Sequence, residues 1–147
     1  MKVSISTTLK ISAEDAWDLV KQSNTLHFVT RGLMGFKPIG PALPYQWIED
    51  KTETLRIMLF GFIPAWKHQI RFKEISDSQM KMLTHESGGL INTWNHLISI
   101  KTIDDSSCKY TDEVEIKAGI FTPFIWAYAN LFYRYRQKRW QHLINNI

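Results

Sequence analysis

The last twenty-six residues, Thr122 to Ile147, hold seven of the chain's nineteen aromatic residues and no acidic one. Thr122 suits a helix N-cap and Pro123 suits the first helical position. A helix of that length reaches about 35 to 40 Å at roughly 1.5 Å per residue. In a chain of 147 residues it spans a whole face of the molecule, so whatever it covers decides the architecture. The segment also holds Arg134, Arg136, Lys138 and Arg139, a charge of +4 equal to that of the entire chain, while the residues before it balance 14 Lys+Arg against 14 Asp+Glu.

The remainder reads mostly as strands. Lys2 to Leu9 alternates, with Val3, Ile5 and Leu9 on one side. Ser12-Ala13-Glu14-Asp15 looks like a capping box opening a helix, and Ala13, Ala16, Trp17 and Val20 form its apolar stripe. A second short helix is expected from Asn24 to Thr30. Gly32 and Gly35, followed by Pro38, Pro41 and Pro44, mark an irregular connection. Six strand-like segments follow: Tyr45 to Glu49, Thr52 to Phe60, Trp66 to Glu74, Gln79 to Glu86, Ile91 to Ile103 and Cys108 to Lys117. Polar turns at Asp50-Lys51, Ser87-Gly88-Gly89 and Asp104 to Ser107 separate several of them as hairpins. Consecutive hairpins with one polar face describe an antiparallel sheet buried on one side. The expected fold is therefore α+β, a single domain over residues 1–147, with a seven-stranded antiparallel sheet curling around the long C-terminal helix and two short helices after the first strand.

Composition bounds the rest. A hydrophobic fraction of 44% is that of a folded chain. A lone Cys108 excludes an internal disulfide and a cysteine zinc site, and fits a reducing compartment. The N-terminus lacks the apolar core of a signal peptide, and no run approaches the ~20 apolar residues of a membrane span. The expectation is a cytoplasmic protein without stable membrane insertion, with room for transient contact with a membrane surface. A net charge of +4 does not argue for nucleic acid, and the oligomeric state is open. Dinucleotide, Walker, Gly-x-Ser-x-Gly and His-Glu-x-x-His motifs are absent, and no cofactor is expected.

The order of elements resembles the helix-grip fold of the START/polyketide cyclase superfamily, also called SRPBCC. Three stretches carry the likeness: Ser12 to Trp17 after the first strand, the Leu59-Phe60-Gly61-Phe62-Ile63-Pro64 turn, and Gly88-Gly89 with Trp94-Asn95-His96 and Thr111-Asp112-Glu113-Val114-Glu115. The resemblance covers essentially the whole chain and is more specific for fold than for ligand. It implies a deep apolar cavity beneath the C-terminal helix that holds a lipid, sterol, polyketide or other aromatic compound.

Projected at 100° per residue, Ile125, Ala129, Phe132, Trp140, Leu143 and Ile147 share one apolar stripe of the C-terminal helix, with Arg136 in its middle. Asn130, Arg134, Gln137, Lys138, Gln141 and Asn145 form the opposite face. A guanidinium on a buried stripe needs a partner: a ligand's carboxylate, phosphate or enolate, or else a backbone carbonyl or acidic side chain. Trp94 and His96 share an inward face, and Asp112 on the next strand has matching parity, opposite or diagonal to His96. That pair prepares a general base or simply satisfies two buried polar groups, and Asp112 is also an acceptor candidate for the Trp94 indole. Trp66 and His68 face inward on another strand. His68 with His96 is a weak metal signal, and no metal is expected. Cys108 has no adjacent base and reads as structural. His85 is expected to face solvent, Met80 and Met82 to fill core or pocket wall, and Tyr128, Tyr133 and Tyr135 to flank the helix stripe.

These residues support three readings. The first is a binder of a hydrophobic small molecule contacted by Trp66, His68, Trp94, His96, Asp112, Phe132, Arg136 and Trp140. The second is a cyclase or dehydratase without metal, with His96 as base, Asp112 as its orienter and Arg136 as anion clamp. The third is an interaction module using the basic outer face formed by Arg134, Lys138 and Arg139.

Overall fold

The computed structural model describes residues 1–147. Seven strands, β1 (Lys2–Leu9), β2 (Met34–Pro38), β3 (Thr52–Leu59), β4 (Ile63–Ser76), β5 (Lys81–Gly88), β6 (Ile91–Asp104) and β7 (Ser107–Lys117), form one antiparallel sheet in the order β1-β7-β6-β5-β4-β3-β2. Every hairpin from β2 to β7 joins spatial neighbours. The one long crossing runs from β1 to β2, at opposite edges, and is carried by α1 (Ala13–Val20) and α2 (Ser23–Thr30). Helix α1 starts where the capping box places it, with the Ser12 side chain accepting from the Asp15 amide at 3.2 Å, and it buries Ala13, Ala16, Trp17 and Val20. Helix α3 (Thr122–Asn145) closes the open side of the sheet. Register shifts in the ladders β3/β4, β4/β5, β5/β6 and β6/β7 each add local twist, which lets the sheet wrap a helix. This is the helix-grip arrangement.

The count of seven strands matches the expectation, but one member differs. Tyr45 to Glu49 is not a strand. It makes an isolated bridge, Gln22 to Gln46, through bonds from the Ser23 amide to the Tyr45 carbonyl and from the Trp47 amide to the Lys21 carbonyl. Its anchor is Trp47, 8% exposed and stacked on Phe72 with ring centroids 4.5 Å apart. The missing strand is β2, inside the Gly- and Pro-rich connection. As an edge strand it needs only β3 as partner, so Pro38 at its end, paired with Leu55, removes no central ladder bond.

The start of α3 also differs. Thr122 does not cap α3. Its hydroxyl accepts from the Ala118 amide at 2.9 Å and donates to the Gly119 carbonyl at 2.7 Å, closing a 3₁₀ turn over Gly119–Phe121 that leads into the helix.

Two apolar clusters fill the interior. One lies beneath α1, α2 and the C-terminal part of α3, around Trp17, Trp47, Phe72, Met82, Ile100, Tyr110, Trp140 and Ile144. The other lies beneath the N-terminal part of α3, around Val3, Met34, Ile57, Trp94, Ile116, Phe132 and Tyr133. Because Trp47 anchors its segment through side-chain packing, Trp47→Ala is expected to lower stability by about 3 to 5 kcal/mol. Ile48→Ala, whose side chain is half exposed, should change it by less than about 0.5 kcal/mol. Urea denaturation of the two variants measures both.

Candidate functional site

Period-two alternation sets the walls. On β4 the side chains of His68, Ile70 and Phe72 are buried; on β6, those of Trp94, His96, Ile98 and Ile100; on β7, those of Cys108, Tyr110, Asp112, Val114 and Ile116. Against these faces α3 lays Ala129, Phe132, Tyr133, Arg136, Gln137, Trp140 and Ile144. Between the sheet and α3 lies a cavity of about 120 Å³. Of its 25 lining residues 19 are hydrophobic, and the other six are Thr25, His68, Thr84, Glu86, His96 and Arg136. Residues of both apolar clusters line it, so the cavity occupies the gap between them.

Seven of the eight ligand-contact candidates line this cavity: Trp66, His68, Trp94, His96, Phe132, Arg136 and Trp140. Asp112 does not. It is fully buried behind His96 and Tyr110 and acts on the cavity through His96 and Arg136. The register pairs His96 with Val114 and Asp112 with Ile98, so histidine and aspartate are diagonal neighbours. His96 Nε2 lies 2.8 Å from Asp112 Oδ1, which also accepts from the Tyr110 hydroxyl at 2.9 Å; Gln137 donates to Oδ2 at 3.3 Å. Arg136 Nη2 donates to the Tyr110 hydroxyl at 3.1 Å and stands 3.7 Å from Asp112 Oδ1. Burial works to raise the Asp112 carboxyl. The Arg136 charge, the His96 bond and charge, and the Tyr110 hydroxyl outweigh it and hold the group below the usual carboxylate range. Burial also opposes the Arg136 charge, but Tyr110, Asp112 and Tyr133 overcome that, and the guanidinium holds its proton more tightly than usual.

Glu86 is the residue that the strand reading missed. Its parity with Met82 and Thr84 on β5 turns it inward. His68 Nδ1 accepts from the Trp66 indole at 3.3 Å, so the imidazole proton sits on Nε2 and is donated to Glu86 Oε1 at 3.1 Å. Thr84 donates to Glu86 Oε2 at 2.7 Å, and His96 Nδ1 lies 3.9 Å from that same oxygen, beyond hydrogen-bond reach. Burial raises Glu86, and its contacts with His68, His96 and Thr84, the His68 hydrogen bond foremost, together bring it below its ordinary value. The two histidines thus engage Glu86 and Asp112, and no three ligating groups are grouped to hold a metal ion.

Other corrections fall on α3. Tyr133 is buried rather than marginal, and its hydroxyl, not Asp112, takes the Trp94 indole proton at 3.0 Å. Its ring centroid is 5.0 Å from that of His96 and 5.6 Å from Arg136 Cζ. Gln137, expected on the solvated face, is 4% exposed and bridges the Ile5 carbonyl to Asp112. Ile147, expected on the apolar stripe, is exposed. Arg139 is committed to the end of α2, donating twice to the Phe28 carbonyl and lying 4.3 Å over the Phe28 ring. The free outer basic face shrinks to Arg134 and Lys138. Burial and Glu14 push the Cys108 thiol up to about 11, away from nucleophilic use.

A carboxyl held low in the folded state adds stability that is fully present above its ordinary value of about 4 and is lost as pH falls through its folded value. Asp112→Asn is therefore expected to cost about 3 to 5 kcal/mol at pH 7, since it leaves Arg136 buried without its counter-charge. It should also flatten the fall of stability below about pH 4. Urea denaturation of variant and parent from pH 3 to 7 tests both.

No family model matches the chain, and no curated protein is significantly similar to it in sequence. Solved structures are similar in fold. A START superfamily protein from Mycobacterium smegmatis superposes with a TM-score of 0.73 at 13% identity, over 99% of this chain and 97% of the other. Norcoclaurine synthase from Thalictrum flavum, in complex with dopamine and hydroxybenzaldehyde, gives 0.65 at 12% identity over 97% and 87%. The di-domain ARO/CYC protein BexL gives 0.68 at 14% identity, over 97% of this chain and 45% of that one. The chain has the START-like helix-grip fold that its sequence resembles.

Proposed function

We propose that this protein binds a compact, largely apolar organic molecule in the cavity between the sheet and α3. The observation that carries the reading is the character of that cavity: about 120 Å³, with 19 of its 25 lining residues hydrophobic. Ligand sites are mostly apolar with a few placed polar groups, and an apolar cavity of about 150 Å³ takes up benzene. The volume is below the ~300 Å³ at which drug-sized pockets begin, so a lipid or sterol requires the walls to part, whereas a single-ring compound does not. The aromatic end of the expected ligand range is favoured. Norcoclaurine synthase, of similar fold, holds two single-ring compounds in its structure. No helix here is long and apolar enough to cross a membrane.

A second reading is favoured by one feature. His96 Nε2 and Arg136 Nη2 lie 2.8 and 3.7 Å from the same oxygen of Asp112, so their sum, 6.5 Å, is the most that can separate them. A base, its orienter and a cation converge on the cavity wall, the convergence that a cyclase or dehydratase step needs. His96→Ala distinguishes the two. As a binder the protein keeps its ligand affinity within about threefold; as an enzyme it loses turnover by about 10²-fold or more.

Filling the cavity tests the leading reading directly. Ile98→Trp places a large side chain where Ile98 lines the space. The expected result is loss of small-aromatic binding by at least about tenfold, with Tm held or raised as the void closes. Calorimetry and thermal unfolding measure the two, and undiminished binding contradicts the assignment of this cavity.

A further inference from the structure

Two donors of α3 have no partner. Arg136 Nε and Trp140 Nε1 are buried without a hydrogen bond, in side chains that are 7% and 1% exposed. Both residues line the cavity, one helical turn apart on the same face. Buried N–H groups are nearly always paired, because an unpaired donor forfeits its hydration with no return. Two such donors, in residues that line an apolar cavity and with no acceptor from the protein, are left for an acceptor on the cavity's occupant.

The charges nearby decide which kind of acceptor. Arg136 already faces Asp112, and Glu86 is the second carboxylate of the cluster. His68 carries one proton, because Nδ1 accepts from Trp66. With His96 neutral, the cluster holds two negative charges against one positive; with His96 protonated, the charges balance. Neither state calls for another anion, and like charges a few ångströms apart in a dry interior repel strongly. A neutral carbonyl oxygen accepts two N–H bonds without adding charge.

We propose that the ligand is a neutral, single-ring aromatic carbonyl compound, a ketone, aldehyde or amide, whose oxygen accepts from Arg136 Nε and Trp140 Nε1. This replaces the anion clamp expected of Arg136: the guanidinium is neutralised by the protein and offers the ligand a hydrogen bond rather than a counter-charge. The inference rests on the binding function proposed above, from which its failure can be told apart.

The test is calorimetric titration at pH 8 with three probes of similar shape: acetophenone, benzoate and isopropylbenzene. Acetophenone is expected to bind at least about tenfold more tightly than either of the others, since a site built around donors rejects an analogue without an acceptor. Trp140→Phe, which keeps an aromatic ring and removes one donor, should cut acetophenone affinity by about tenfold and leave isopropylbenzene within about threefold. Isopropylbenzene binding as tightly as acetophenone, the result if water satisfies the two donors, overturns the acceptor while leaving the cavity a binding site. Benzoate binding most tightly overturns neutrality. Binding of none of the three overturns the ligand class and the binding function together. The parent-protein comparison stands even if Trp140→Phe does not fold.

Discussion

A guanidinium in the middle of a helix's buried face is tolerated only where another element brings it a counter-charge, and here Asp112 of β7 meets Arg136 of α3. That meeting fixes the register of α3 on the sheet. It also fixes what surrounds it: Asp112 takes bonds from His96, Tyr110 and Gln137, and Arg136 binds the same Tyr110 hydroxyl. One buried carboxylate thereby ties two strands and the helix into a single polar block. The block cannot be squeezed flat, because Asp112, His96, Tyr110 and Gln137 already hold one another at hydrogen-bond distance. The space beside it, bounded by Trp94, Ile98, Phe132 and Trp140, stays open as the cavity.

The polar groups divide into two sets with different work. Asp112, Tyr110 and Gln137 satisfy one another away from the cavity and act as support. Glu86 with His68 and Thr84 forms a second satisfied set on the opposite strands. Among the residues that line the cavity, the buried groups left unsatisfied are on α3, in Arg136 and Trp140. Burial of so much polar chemistry is poorly explained by stability alone, since apolar replacement of such pairs is often neutral or stabilising. A site held rigid for a ligand gives it a reason.

Much of this was legible in the sequence because it follows from periodicity. Period-two alternation placed Trp66, His68, Trp94, His96 and Asp112 on inward faces, and the 100° projection placed Phe132, Arg136 and Trp140 together. What escaped has physical causes. Glu86 ends its run beside a Gly-Gly turn, where a carboxylate reads as solvent-facing, yet its parity with Thr84 was the available signal. Tyr133 and Gln137 fall at the border of a helical stripe, but a sheet wrapped around a helix buries far more than a stripe. Strand β2 sits among glycines and prolines that mark loops in general and are tolerated at a sheet edge. The unpaired state of two donors depends on the distances to every neighbour, and no one-dimensional pattern contains it.

The central claim is that the inner face of α3 receives a ligand in the cavity. The indole ¹⁵N–¹H resonances of the six tryptophans report on it directly, assigned by Trp→Phe substitution. On titration with acetophenone the Trp140 signal is expected to move to saturation at one equivalent. The Trp126 indole, bonded to the Lys2 carbonyl outside the cavity, should stay in place. A Trp140 signal that does not respond, or a Trp126 signal that moves as far, contradicts the account.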